Sequence, residues 1–396
     1  MAIKSIDQIN LKEKRVLIRV DFNVPLDDKQ NITDDTRVRA ELPTINYALS
    51  QNARVILMSH LGRPKGKIKP EMSLKPVSQH LAQLLKREVK LASDCIGPDV
   101  EQMVNEMRPG DVLLLENLRF HPEEEKNDPE FGRKLAALAD IYINDAFATA
   151  HRAHASNVAI LAFVPEYGAG YLLREEVESF HKAMENPARP LVAIMGGAKV
   201  SGKLDALENI IKRVDKVVVG GGMAFTFLKA KGYQVGKSLV EDDLIETAKN
   251  IMKAAQERQV EFLLPLDCVV APSLDPAAPT TIQPVDKIPA DGMGLDIGPQ
   301  TRALFTQALK DAKTIVWNGP MGVFEMEPFS KGTQVMVETV AQSSAFTFVG
   351  GGDTDTALAK WNAMDKMSYV STAGGAFLEM LEGKKLPAIE ALQKGV

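Results

Sequence analysis

The sequence is poor in cysteine. Only Cys95 and Cys268 occur in 396 residues, far apart and in no metal-ligand spacing. That argues against a disulfide framework or a cysteine-bound metal and favours free thiols in a reducing compartment. Excess positive charge is missing too. The net charge is −5, so no global basic field advertises nucleic acid or an anionic membrane, and any anion site must be local. No apolar run reaches the thickness of a bilayer. The opening residues MAIKSIDQIN lack the apolar core of a signal peptide, so a cytoplasmic protein is expected. There is no low-complexity linker and no short-period repeat.

What is present is a long alternation of apolar runs and amphipathic segments. Hydrophobic residues make up 45% and charged residues 25%, the mix of a folded globular chain. The length suits two domains best. Strand candidates in the first half are RVLIRVD (15–21), ARVILMS (53–59), DVLLLE (111–116) and IYIND (141–145). In the second half they are LVAIMG (191–196), KVVVG (216–220), EFLLP (261–265), TIVWNG (314–319), FTFVGG (346–351) and SYVST (368–372). Their apolar character is continuous, as in parallel strands covered on both faces. Val38, Leu42, Ile45 and Leu49 share one helical stripe, with Pro43 expected to kink it. Leu204, Leu207, Ile211 and Val214 make a second stripe, with Ser201 as the expected cap. The class predicted is α/β, with two doubly wound parallel-sheet domains. Residues 174–190, read as an exposed helix ended by Asn186-Pro187, are expected to form the connecting helix and hinge.

Open α/β sheets bind ligands at the carboxyl ends of their strands, and there the two halves differ. The first half carries Asp21, Asn23 and Arg37, then His60 and Arg63, then Arg119, then Asn144, Asp145, His151, Arg152 and His154. Four arginines facing one hollow repel one another unless an anion neutralises them, and guanidinium suits bidentate capture of carboxylate or phosphate. A small acid bearing phosphate is the guest this predicts. A single arginine of this kind would more often be a solvated surface charge; the pattern rests on four at successive strand ends. The second half carries glycines instead: 196–197, 220–222, 350–352 and 374–375, with hydroxyls at Thr354, Ser371 and Thr372. Glycine permits close backbone approach, and a helix that follows offers free N–H groups to phosphate. Asp353 beside such a turn is a candidate magnesium ligand. Lys199 and Lys203, four apart near a helix start, are expected to share a face and to neutralise phosphate.

The segment 197–204 nearly matches the phosphate-binding loop GxxxxGK[ST] but ends in Leu204, which cannot coordinate magnesium. No exact GxGxxG follows a strand, which disfavours a nicotinamide dehydrogenase, and the protein-kinase HRD and DFG motifs are missing. A non-catalytic nucleotide-sensing scaffold on the same fold is disfavoured by the survival of the charged loops and Lys199.

The residues resemble the phosphoglycerate kinase family along nearly the whole chain. The match includes RVDFNVP (19–25), SHLGRP (59–64), LENLRF (115–120), NDAFATAHRAHAS (144–156), GGAKVSGK (196–203), GGGMAFTFLK (220–229), GLDIGP (294–299), WNGPMGVFE (317–325), GGGDT (350–354) and LEGKKLPA (381–388). The resemblance implies an N-terminal triose-phosphate domain over 1–173 and a connector over 174–190. It implies a Mg-nucleotide domain over 191–375 and a C-terminal segment over 376–396 returning to the first domain. It implies that Asp21, Asn23, Arg37, His60, Arg63, Arg119 and Arg152 surround 3-phosphoglycerate or 1,3-bisphosphoglycerate. Arg37, Lys199, Gly374 and Gly375 would act on the transferring group. Gly197, Lys203, Gly221, Gly294, Asn318, Glu325, Gly351, Gly352, Asp353 and Thr354 would hold ADP or ATP, with Glu325 at the ribose and Asp353 on Mg2+. A monomer acting on small molecules is implied, without nucleic acid or membrane partners. One departure stands out: the family commonly reads STGGGAS where this chain has Ser371-Thr-Ala-Gly-Gly-Ala-Phe377. Because both nucleophiles of the implied reaction are already anionic, catalysis is expected from alignment, charge neutralisation and domain closure, without a general base.

Overall fold

A computed structural model describes residues 3–394. Within them the chain forms two compact units. One runs up to Val177 and takes in the segment from Lys385 onward; the other is Glu178–Lys384.

The first unit is built on a six-stranded sheet. Its strands are β1 (Arg15–Arg19), β2 (Arg54–Met58), β3 (Lys90–Leu91), β4 (Val112–Leu114), β5 (Ile141–Asn144) and β6 (Glu166–Ala169). All pairings are parallel, in the order β3-β4-β2-β1-β5-β6. Val16, Ile18, Val55, Leu57, Ile141 and Ile143 fill one core under the Thr36–Ser50 helix, whose Val38, Ile45 and Ala48 face it. That helix continues through Pro43 to Ser50. The C-terminal Pro387–Lys394 helix belongs to this unit, where the Ala388 amide donates to Ala150 O at 3.1 Å.

The second unit repeats the plan with β7 (Leu191–Met195), β8 (Lys216–Val219), β9 (Glu261–Leu263), β13 (Thr314–Asn318), β14 (Phe346–Val349) and β15 (Tyr369–Val370). They too are all parallel, in the order β15-β14-β13-β7-β8-β9. The period-two alternation of a strand divides its side chains between the faces. Leu191, Ala193 and Met195 enter one core while Val192 and Ile194 enter the other. Both faces are therefore dry, which is why these strands read as continuous apolar runs. A small antiparallel sheet, β11-β10-β12, is inserted before β13, from β10 (Asp267–Ala271), β11 (Thr281–Pro284) and β12 (Met293–Ile297).

All ten expected runs contain strands; β3, β6 and the antiparallel sheet were not foreseen. The Tyr171–Phe180 helix and a π turn over His181–Glu185 occupy the expected connector. Two local expectations are corrected. The helix bearing Leu204 and Leu207 starts at Leu204 with Lys203, not Ser201, at its cap position. Ser201 instead donates its amide to Glu241 Oε2 at 3.0 Å, as Val200 does at 2.6 Å. Consequently Lys199 lies outside the helix, and the two lysines do not share a helical face.

Candidate active site

In each sheet the chain starts in the middle and later crosses to the other side, between β1 and β5 in the first and between β7 and β13 in the second. Neighbouring connections diverge at such a point and leave a crevice at the carboxyl ends of the strands. Both sets of candidate residues stand at these ends.

In the first unit the centre is Arg19, the last residue of β1 and fully buried. Its Nε donates to Ser156 Oγ at 2.9 Å, Nη1 to Val20 O, and Nη2 contacts His60 Nδ1 at 3.2 Å. An arginine can only donate, so Nδ1 of His60 is the acceptor and the ring's proton sits on Nε2. Burial and the guanidiniums of Arg19, Arg119 and Arg152 hold His60 well below the usual imidazole value. Burial with Arg119, Arg19 and Arg152 pushes His154 down to about 3, and burial with Arg152 lowers His151. Arg119 itself falls to about 10 through burial and the nearby Arg152. These mutual effects bring Arg19, Arg119, Arg152, His60, His151 and His154 together in one electropositive basin. Arg119 is 3% exposed. Its Nη1 donates to Gly62 O at 2.9 Å, yet Nη2 has no hydrogen-bond partner. A buried, unsatisfied guanidinium nitrogen is costly unless something else occupies it.

Beside the basin, Arg37 Nη1 donates to Asp21 Oδ2 at 2.9 Å and to Asn23 O at 3.2 Å. Asn23 Oδ1 accepts from the Gly62 amide at 2.8 Å, tying the first strand end to the SHLGRP loop. Arg63 stands exposed on that loop.

In the second unit glycine is close to obligatory at two of these positions. Gly351 has φ +113°, where a side chain is strained. A Cβ on Gly294 would fall 2.1 Å from the Phe225 ring. The Gly352–Lys360 and Gly374–Leu381 helices begin next to each other: a Cβ on Gly374 would lie 3.5 Å from Gly351 Cα and Gly352 N. Two sets of free N–H groups thus share one place, with Gly375 in the second. Thr354 Oγ1 accepts from the Gly319 amide at 2.8 Å, and Asn318 Nδ2 donates to Gly350 O at 2.7 Å, locking the turn. Lys203 Nζ donates to Gly196 O at 2.7 Å and to Asn318 O at 3.2 Å. Burial lowers it to about 8, opposed by Asp353. Lys199 and Asp353 are exposed. A cavity of roughly 410 Å³ opens here, its lining including the polar or small Gly197, Gly221, Gly294, Glu325 and Asp353 and the apolar Phe225, Leu239, Leu274 and Met293.

Two features escaped the sequence reading. Arg19 could have been found as a charge closing an apolar strand run. The apolar wall has no short motif, because Leu274 and Met293 belong to the inserted antiparallel region. At the departure noted above, Ala373 is accommodated at φ −137° and Phe377 is fully buried against Phe348, ring centroids 4.9 Å apart.

The model of the phosphoglycerate kinase family matches residues 6–384. A phosphoglycerate kinase of Geotalea uraniireducens (strain Rf4) is 60% identical over 394 residues, 99% of each chain. One of Geobacter sp. (strain M21) is also 60% identical over 99% of each chain. The solved phosphoglycerate kinase of Coxiella burnetii is similar with a TM-score of 0.94 at 46% identity over 100% of both chains. That of Pyrococcus horikoshii OT3 has a TM-score of 0.83 at 32% identity over 98% of each. Two parallel-sheet units, one with a guanidinium basin and the other with glycine turns at helix N-termini, define an α/β phosphotransferase. The chain belongs to the phosphoglycerate kinase family.

Proposed function

We propose that this chain moves a phosphoryl group reversibly between 1,3-bisphosphoglycerate and ADP, giving 3-phosphoglycerate and ATP, by alignment and charge neutralisation alone. The observation that carries the reading is the unpartnered Nη2 of buried Arg119 in a basin where burial and the neighbouring arginines hold the histidines neutral. Such a basin favours a dianionic phosphate. Asp21, Asn23, His60, Arg63, Arg119 and Arg152 then bind the triose acid, and Arg37 meets its acyl-side oxygens. The neutral histidines are poor bases, and none is needed, since carboxylate and ADP phosphate oxygens are already nucleophiles.

In the second unit the paired helix starts at Gly351, Gly352, Gly374 and Gly375 suit the nucleotide's terminal phosphates and the transferring group, with exposed Lys199 supplying charge. Lys203, Thr354 and Asn318 hold the glycine turns in shape. The wall of Phe225, Leu239, Leu274 and Met293 suits an adenine ring, Gly197, Gly221 and Gly294 let it lie flat, and Glu325 suits ribose hydroxyls. The donor set also fits magnesium: Asp353 is an exposed carboxylate without an ion pair among the described residues, beside the phosphate cradle. Magnesium uses one or two carboxylates plus phosphate oxygens, and when bound it would screen the nucleotide's charge. Transfer requires the two anions in line and water excluded. Among the described residues no helix is long and apolar enough to cross a membrane; a cytoplasmic monomer acting on small molecules, without nucleic acid, completes the reading.

The test is ATP formation from ADP and 1,3-bisphosphoglycerate in a coupled assay. Arg37→Ala and Lys199→Ala should each lower turnover by roughly a hundredfold or more, with circular dichroism unchanged. Near-normal turnover in either variant removes that residue's role.

A further inference from the structure

Behind the Asp21–Arg37 pair lies a pair of carboxyl groups that the reaction does not use. Glu41, on the Thr36–Ser50 helix, and Asp145, after β5, are both fully buried. Glu41 Oε1 accepts the Asp21 amide at 2.7 Å. Asp145 Oδ1 accepts the Leu173 amide at 3.0 Å, in the first turn of the Tyr171–Phe180 helix. A Cβ on Gly170 would fall 2.2 Å from Asp145 Cγ, so the helix start is fitted closely over that carboxyl. One oxygen of each group is left over: Glu41 Oε2 and Asp145 Oδ2 find no other donor. The two carboxyl groups lie near enough for each to act on the other's ionisation.

Two carboxylates cannot meet in this way without a proton between them. The helix N-terminus favours negative charge on Asp145, where Thr44 and the Leu172 and Leu173 amides also face it. The proton therefore belongs to Glu41. Its hydroxyl then donates to Asp145 and its carbonyl oxygen accepts from Asp21, so every polar atom is satisfied. Burial and the charge of Asp145 hold Glu41 well above the ordinary carboxyl value, with Asp21 adding to the effect; burial raises Asp145 to about 6. On the far side, Asp21 carries Arg37 at 2.9 Å, and His60 Nδ1 lies 3.9 Å from its other oxygen.

We propose that Glu41 is a positioning residue for the triose-acid site: as a neutral acid it bridges Asp145 to the Asp21 amide and thereby fixes the carboxylate that aims Arg37. This rests on the role of Arg37 given above.

Glutamine copies a neutral Glu41, with an amide donor toward Asp145 and a carbonyl toward Asp21; leucine leaves both partners unsatisfied. Glu41→Gln should keep the KM for 3-phosphoglycerate within about twofold. Glu41→Leu should raise it about fivefold or more, leaving the KM for ATP unchanged, since only the first unit is disturbed. At alkaline pH the wild-type KM for 3-phosphoglycerate should rise as the shared proton is lost, whereas that of Glu41→Gln should not. Independently of activity, infrared difference spectra of wild type against Glu41→Gln should show a protonated carboxyl band in the wild type alone. A Glu41→Gln variant as defective as Glu41→Leu, a Glu41→Leu variant with unchanged KM, or the absence of that band overturns the proposal. If Arg37→Ala keeps full turnover, the underlying reading of Arg37 fails instead.

Discussion

Lys203 donates to two backbone carbonyls, and the burial this entails lowers its ammonium to about 8. The empty site is therefore partly neutral near that pH, while a bound phosphate draws the proton back. The sign follows: raising the pH through about 8 should weaken ADP binding, and binding there should take up a proton. Titration calorimetry in buffers of different ionisation enthalpy measures this uptake directly. Lys203→Arg, which stays charged, should abolish it. Binding without proton uptake in the wild type would place the charge elsewhere.

At the scale of elements, Phe377 shows how a helix start is held. Its side chain is fully buried, and a Cβ on Gly350 would lie 2.8 Å from its ring. The aromatic ring thus packs the Gly374–Leu381 helix onto the end of β14. Phe377→Ala should cost about 3 kcal/mol or more, and Gly350→Ala should also destabilise. The double variant should lose less than the sum, because the methyl enters space the ring vacated. Chemical denaturation of the four proteins tests this; strict additivity would deny the contact. Neither consequence follows from sequence pattern alone. Most of the ten strands were legible because both their faces are buried; Glu261–Leu263 and Tyr369–Val370, at the sheet edges, are less so. Lys90–Leu91 is too short to show a pattern, and Thr281–Pro284 is half exposed and polar. The helix start at Leu204 was misplaced because Glu241, some forty residues on, holds the Val200 and Ser201 amides and keeps that segment outside the helix. The charged and glycine-rich strand ends were legible as chemistry, since such residues have little reason to recur there. The apolar nucleotide wall and the Glu41–Asp145 pair were not, because only the fold brings their members together.

Over the whole molecule a net charge of −5 coexists with a cationic basin, and burial together with the basin's arginines keeps His60, His151 and His154 neutral. Neutral histidines among guanidiniums invite assignment as general bases, whereas the proposed reaction needs none from them. The most direct measurement is the pH dependence of kcat at saturating substrates, for wild type and for His60→Gln and His154→Gln. Between about pH 6.5 and 8 the profile should be flat in all three, since no side chain exchanges a proton with the reacting atoms. A limb near neutrality that vanishes in either histidine variant would contradict catalysis by alignment and charge neutralisation.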